Sequence, residues 1–389
     1  MDDKRFVKLK PGKEKALLQR HPWIFSGAVD FFPEMIPGEV LRVHSSTGKF
    51  LAKAYFNPEN SLVGRVLTFR EESTEDAIKR QIREAVVFRK TLPLETNAYR
   101  LINAEGDGLP GLIVDQYDDV LVVQIHTQGM ERLKPLIVEE LKTLLSPRTI
   151  YEKSHSSARE QEGLEEMQGV LWGEDRDLVE INERGVRFQI SLKEGQKTGF
   201  FLDQREMRAH VMRHAKGRRV LNCFSYTGAF ALFALKGGAK TALSLDSSKT
   251  ALALAQKNSA LNGFSPEQHQ VVCDDAFQFL RNNPLDFNLV ILDPPAFIKK
   301  RNDVVQGSKG YQEINRLVLD KMSPNSFLLT SSCSYYLDEQ LFQKLLFQAA
   351  ALANRRVKIL CRHIQAEDHP VSLYHPEGAY LKSFFLHVT

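Results

Sequence analysis

Hydrophobic positions along the chain change their period twice. Over roughly the first 70 residues they come in short β-rich runs broken by turn residues. Residues 40–43 and 50–56 read as strands joined at Thr47–Gly48, and 62–69 as another strand beyond Asn57–Pro58, with Pro33, Pro37 and Gly38 punctuating the approach. Short strands at this spacing predict a small barrel. After the charged stretch 71–76 the period lengthens: Ile78, Ile82, Ala85 and Val86 share one face of a helix predicted over 76–90. Its start carries the Ser/Thr cap and early acids that suit a helix N-terminus. Residues 100–187 are mixed, with a tight turn at Gly106, Gly108, Pro110 and Gly111, strands at 113–114 and 120–125, a helix over 129–145 and a hairpin over 179–190.

Beyond Ser191 strands and helices alternate. Strands are predicted at 220–221, 241–245, 270–273, 289–292 and 326–331, and helices at 228–236, 250–261, 276–282, 311–321 and 338–353. Apolar strands alternating with helices imply an α/β fold, a mostly parallel sheet with helices on both faces. The pattern divides the chain into a β-barrel, 1–72, an α+β middle domain, 73–187, and a doubly wound domain, 188–389.

Composition alters this picture little. Hydrophobic residues make up 43% and charged residues 26%, and no run approaches the ~20 apolar residues of a membrane span. The charged start, residues 1–10, has no apolar h-region, so no secretory signal is expected. Cys223, Cys273, Cys333 and Cys361 lie far apart without a C-x-x-C pair. That argues against a disulfide framework or a metal cluster and for a reducing, cytoplasmic setting. Charge distribution says more. The net of +4 averages a net of +5 in residues 1–70 and −1 in the remainder. Nucleic acid is the anionic partner such a basic module suits, with an ordinary solvated surface as the equal alternative.

In a doubly wound sheet ligands sit beyond the carboxyl ends of the strands. After the first strand come Asn222, Phe224, Tyr226, Thr227 and Gly228, without the G-x-G-x-x-G of a pyrophosphate cradle, so a cofactor lacking phosphates fits better than a dinucleotide. Asp246, followed by Ser247, ends the second strand, where an acid can accept from ribose hydroxyls. Asp274, Asp275 and Ala276 follow the third; one acid can hold an adenine edge while the other caps the next helix. The fourth strand runs into Asp293–Pro294–Pro295–Ala296–Phe297, a stiff turn whose prolines remove two backbone donors.

These motifs resemble those of class I S-adenosylmethionine-dependent methyltransferases, whose domain is Rossmann-like. Two further stretches, Lys193 to Arg205 and Ser331–Ser332–Cys333–Ser334, narrow the likeness. With Glu105 to Gly111 and Glu367 to Pro370, they resemble bacterial and archaeal ribosomal RNA cytosine-5 methyltransferases that carry an N-terminal PUA domain. The resemblance spans the whole chain and implies S-adenosylmethionine as cofactor, with Phe200, Phe201, Asp203 and Arg205 bordering its methionine part. An aromatic wall with mixed charge suits a sulfonium beside a zwitterion. It implies an RNA partner, a PUA-like barrel whose basic excess meets phosphates, and no metal. A homodimer is left open.

Carbon 5 of cytosine is a weak nucleophile. A thiolate added to carbon 6 pushes electron density onto it, splitting one hard step into two. Cys333, after the fifth strand and between two small serines, is the candidate nucleophile; the other cysteines read as buried and inert. Asp293 is expected to bond the amine and ring nitrogen 3 of the base, which must be single-stranded or flipped out. Many RNA cytosine-5 enzymes place a second Cys directly after the motif Asp; here Pro294 stands there, leaving His369 and Lys382 as candidates for removing the carbon 5 proton. Lys299, Lys300 and Arg301 could guide RNA. Two rivals remain: a base amino-group (adenine or guanine) RNA methyltransferase on the same fold, and a catalytically inactive RNA-binding ribosome assembly factor.

Overall fold

The computed structural model describes residues 5–389, so the first four positions of the charged start lie outside it. The chain forms two compact units: one runs as far as Ile181 and adds Ile190–Leu202 and Glu367–Gly378; the other comprises Asn182–Gln189, Asp203–Ala366 and Ala379–Thr389.

The first unit holds two sheets. Strands β1 (Phe6–Leu9), β2 (Trp23–Phe25), β3 (Val29–Phe31), β4 (Val40–His44), β5 (Phe50–Phe56) and β6 (Leu62–Thr68), with the short helix α1 (Lys15–Leu18), make a six-stranded sheet in the order β2-β6-β5-β4-β1-β3. Alternate residues of these strands, among them Val7, Leu9, Leu41, Val43, Ala52 and Ala54, bury one face in a common core, as the period of two requires. Helix α2 (Thr74–Thr91) begins where Ser73 accepts from the Asp76 amide, and it buries Ile78, Ile82, Ala85 and Val86, the face read from the sequence. Strands β7 (Ala98–Asn103), β8 (Leu112–Tyr117), β9 (Val120–Ile125), β10 (Thr149–Ser154) and β11 (Met167–Gly173) form a second sheet in sequential order, joined by α3 (Gln128–Leu145) and α4 (Ser157–Gln161). The two sheets share polar anchors: the Tyr55 hydroxyl donates to the Pro110 carbonyl at 2.6 Å, and Arg65 pairs with the buried Glu162 at 2.6 Å.

A hairpin, β12 (Leu178–Glu183) and β13 (Val186–Ser191), lies where the chain passes from one unit to the other. The second unit follows with α5 (Arg205–His214), β14 (Arg219–Cys223), α6 (Ala229–Lys236), β15 (Thr241–Asp246), α7 (Lys249–Leu261), β16 (His269–Cys273), α8 (Ala276–Asn282), β17 (Leu289–Leu292), α9 (Val304–Lys321), β18 (Ser326–Ser332), α10 (Glu339–Leu352), β19 (Val357–His363) and β20 (Lys382–Val388). The sheet order is β16-β15-β14-β17-β18-β20-β19; the first five strands are parallel, and β20 runs antiparallel between β18 and β19. All four residues of β17 are buried, as a central strand covered on both faces demands.

Three readings need correction. Helix α9 starts at Val304, well before the expected Tyr311. Cys273 is exposed and Cys361 half-buried on the edge strand β19, so neither is the buried thiol expected; Cys223 is. The strands β19 and β20 close the sheet without having been read from the pattern.

Candidate active site

The order reverses at β14, whose neighbours are β15 and β17, so the crevice beyond its carboxyl end is the topological switch point. The loop there is strained: Phe224 and Tyr226 hold φ of 56° and 48°, a region non-glycine residues rarely occupy. Gly228 follows at φ 79°, and a Cβ there would lie 3.1 Å from that of Ala255. Such backbone conformations cost of order 1–3 kcal/mol each and persist where the surroundings impose them, commonly at ligand sites. Asp246 fastens the loop at Tyr226. One of its carboxylate oxygens accepts from the Tyr226 amide at 2.8 Å and the other from the Ser248 amide at 2.9 Å.

Inside that loop three buried polar groups, Asn222 Nδ2, Ser225 Oγ and Thr227 Oγ1, have no hydrogen-bond partner among the described residues. Buried polar groups are normally satisfied, so three orphans within six residues mark a place built for a ligand. Asp275 accepts from the Gln278 amide at 2.9 Å and caps α8, leaving Asp274 as the exposed acid beside it; Ala276 opens the helix. Ser247 is exposed, while Ser248 caps α7.

Beyond β17, Asp293 is half-buried and its Oδ1 accepts from Gln204 Nε2 at 3.0 Å. Phe297 packs on Tyr311 at 4.7 Å between ring centres. The Tyr311 hydroxyl bonds Ser334 Oγ at 2.9 Å, and Ser334 Oγ accepts from the Ile298 amide at 3.1 Å. The proline turn and the Cys333 loop are thereby tied together. Gly307 lets α9 approach: a Cβ there would lie 2.4 Å from Ile298 Cγ1. Strands β17 and β18 are parallel neighbours paired at Leu292 and Thr330, so Asp293 and Cys333 leave adjacent strand ends on one edge of the sheet. Cys333 is half-buried between buried Ser332 and Ser334.

The remaining expected residues divide. Asp203 is buried and its Oδ2 accepts from the Tyr380 hydroxyl at 2.6 Å. Arg205 lies 3.4 Å from Glu183, a buried carboxylate that also takes Arg208 through both oxygens at 2.7 and 2.8 Å. Phe200 and Phe201 belong to the first unit, where the Phe200 amide donates to the Tyr117 hydroxyl and Lys197 sits 4.4 Å from the Phe201 ring centre. His369 is also in that unit, buried, with Nδ1 2.9 Å from Asp368 Oδ1. Lys382, by contrast, reaches the Cys333 loop, donating to the Ser334 carbonyl at 2.7 Å. Lys299, Lys300 and Arg301 are exposed. Sequence reasoning gave Gln204 and Tyr380 no role and read Ser334 only as a small neighbour of Cys333. Among the described residues no group of three or more His, Cys, Asp or Glu could hold a metal ion, and no helix is long and apolar enough to cross a membrane.

Fold and site define a class: a Rossmann-like transferase that holds a nucleoside-bearing cofactor at the strand ends of a mostly parallel sheet. Residues 113–353 match the family described as S-adenosylmethionine-dependent methyltransferase, and residues 7–69 match the PUA-like domain. A protein of Aliivibrio fischeri called ribosomal RNA large subunit methyltransferase I is 41% identical over 387 residues, covering 97% of this chain and 98% of that one. The Erwinia tasmaniensis protein of the same name is 40% identical over 97% of each chain. Among solved structures, a methyltransferase complexed with SAH superimposes with a TM-score of 0.84 at 26% identity, over 98% of this chain and 99% of that one. The chain therefore belongs to the S-adenosylmethionine-dependent methyltransferases, in the family of ribosomal RNA large subunit methyltransferase I. The unpartnered groups of the 222–227 loop and the acids Asp246 and Asp274 suit the hydroxyls, amine and carboxylate of that cofactor.

Proposed function

We propose that the chain transfers a methyl group from S-adenosylmethionine to carbon 5 of a cytosine in large-subunit ribosomal RNA, with Cys333 as covalent nucleophile. The observation that carries this reading is the emergence of Asp293 and Cys333 from adjacent parallel strands, tied through Tyr311 and Ser334. When bound, the cofactor supplies an electrophilic methyl group on a sulfonium. The Cys333 thiolate adds to carbon 6, forming a C–S bond and shifting an electron pair onto carbon 5; the methyl group would pass to carbon 5 as its bond to the sulfonium sulfur breaks and leaves a neutral thioether. The carbon 5 proton then leaves to a base, its electron pair restores the ring double bond, and the C–S bond breaks to return the thiolate. Asp293, oriented by Gln204, bonds the amine and nitrogen 3 edge and stabilises charge as it develops there.

The cofactor contacts proposed are Asn222, Phe224, Tyr226, Thr227, Gly228, Asp246, Ser247, Asp274, Asp275 and Ala276, with Phe200, Phe201, Asp203 and Arg205 at the methionine end. The relatives' names and the basic start support ribosomal RNA as substrate. The functional division is 1–72 for RNA reading, 73–187 as connector and 188–389 for chemistry, in a cytoplasmic protein. The amino-group alternative is disfavoured by Phe297, whose ring is engaged by Tyr311 and Phe277.

The test is mass spectrometry of ribosomal RNA from cells lacking the gene. A 5-methylcytosine should disappear, return with the wild-type gene, and stay absent with Cys333→Ala. If Cys333→Ala restores the modification, covalent carbon 5 chemistry is wrong and the amino-group reading replaces it.

A further inference from the structure

We infer that Lys382 is a positioning residue for the nucleophile: its ammonium group pins the Cys333 loop by the Ser334 carbonyl and favours the thiolate of Cys333. The inference rests on Cys333 being the nucleophile, but its test needs neither RNA nor cofactor.

The placement comes from the ladder. Strand β20 is antiparallel to β18, and its first residue, Lys382, pairs with Ser332, the last residue of β18 and the one before Cys333. The lysine is 7% exposed in a strand whose next residues, Ser383, Phe384, Phe385 and Leu386, are all buried. Its Nζ donates to the Ser334 carbonyl at 2.7 Å and to the Tyr380 carbonyl at 2.8 Å. Those two carbonyls bracket its environment: one follows the nucleophile, and the other belongs to the residue whose hydroxyl holds Asp203.

A buried ammonium is a costly strut. It has three donors, two of which are used on neutral carbonyls. Among the described residues no carboxylate forms an ion pair with it, although an uncompensated buried charge is strongly destabilising. A serine or glutamine could hold carbonyls without that cost. What a neutral strut could not do is balance an anion at Cys333, and the interaction is present: burial pushes the Lys382 amine down to about 8, while Cys333 and then Asp338 push it back up.

The charged and titratable groups around the loop set the sign. Tyr311, from α9, has its phenol pushed up by burial and interacts with Cys333. Asp338 caps α10, and Asp293 ends the neighbouring strand. A carboxylate disfavours a nearby thiolate, so the two acids alone would oppose it, while the Tyr311 phenol stays neutral and adds no charge. Lys382 supplies the opposing charge. Below about 8 its amine is protonated and the thiolate is favoured; above that the assistance fades as the amine deprotonates, where an ordinary thiol ionises unaided.

The experiment is site-resolved alkylation of the full chain by iodoacetamide between about pH 6 and pH 10, with each cysteine peptide quantified by mass spectrometry. Lys382→Met should slow Cys333 about tenfold at pH 7 and move its midpoint up by about one unit, since one unit is a tenfold change in thiolate. Lys382→Arg should stay within about threefold of wild type, because the charge remains. Exposed Cys273 is the internal control and should not change; buried Cys223 reports unfolding. A folded Lys382→Met with the wild-type Cys333 profile overturns the inference. If Lys382→Met does not fold, the reverse measurement decides: the Lys382 amine, followed by NMR of labelled lysine, should titrate lower in Cys333→Ser than in wild type, and an unchanged titration overturns it. The carbon 5 reading fails separately, through a methylating Cys333→Ala enzyme, whatever the alkylation shows.

Discussion

Two regions, one in each unit, treat their buried polar groups differently. In the first unit a buried carboxylate is satisfied across the seam between the sheets: Glu162 takes Arg65 at 2.6 Å together with Asn57, Asn60 and the Gln128 amide. Arg100 pairs with Asp115 through both oxygens at 2.7 and 3.0 Å. In the second unit the Glu183–Arg208 pair is equally complete, yet the 222–227 loop keeps three orphans. A satisfied buried group fixes the scaffold. An orphan costs stability until something binds, and three of them in one loop at the switch point suit a ligand there.

The comparison breaks most readily at a satisfied group. Glu183→Ala leaves Arg208 and Arg205 as buried cations without their carboxylate, and should cost about 3–5 kcal/mol in urea unfolding followed by circular dichroism. A loss below about 1 kcal/mol would show that the pair is not what holds that region.

Acid sharpens it next. Burial pushes His269 from 6.5 down to about 4, its Nε2 resting 2.9 Å from Ser244 Oγ beneath the cofactor loop. The fold favours the neutral ring, so stability is full above 6.5 and is lost as pH falls towards 4, where the unfolded chain binds a proton that the folded chain refuses. That single group accounts for about 3 kcal/mol. His210 and His363 of the same unit are also lowered to about 4; the first unit has His126 lowered to about 4 and His375 lowered by burial. The second unit should therefore lose protection first in hydrogen exchange between pH 6.5 and 4, and His269→Gln should flatten that dependence by about one proton.

The smallest expected effect is the most diagnostic. Thr227→Val removes an orphan hydroxyl at constant shape. Stability should stay within about 0.5 kcal/mol or rise slightly, because nothing in the fold loses a partner. S-adenosylmethionine affinity in calorimetry should fall about tenfold, or about 1.4 kcal/mol. Lower stability with unchanged affinity would reverse the assignment of the loop from binding to scaffold.

Strand–helix alternation was legible from β14 to α10 of the second unit, and helix α8 falls at the residues expected, because local periodicity and caps are short-range signals; α5, β19 and β20 were not read. The N-terminal half of α9 was not legible. Gly307 and Gly310 weaken a helix locally, and only contact with Phe297 and Ile298 requires small residues there. Strand β19 was missed because Lys358 and Arg362 lie on an exposed edge, where tertiary pairing with β20 rather than an apolar pattern makes the strand. Of the two neighbouring acids after β16, the sequence left open which one caps the helix; the 2.9 Å bond to Gln278 assigns that role to Asp275.

By itself the sequence determined what depends on near neighbours. It set the alternation that builds a parallel sheet, the proline turn that stiffens Asp293, and the order in which loops emerge at one edge. Tertiary structure decided which distant side chains meet there. Gln204 reaches Asp293 across 89 residues, and Lys382 reaches the carbonyl after Cys333 across 48. Those meetings follow from ladder register and helix packing, which no local window encodes, because each is fixed by the whole sheet minimising buried, unsatisfied backbone.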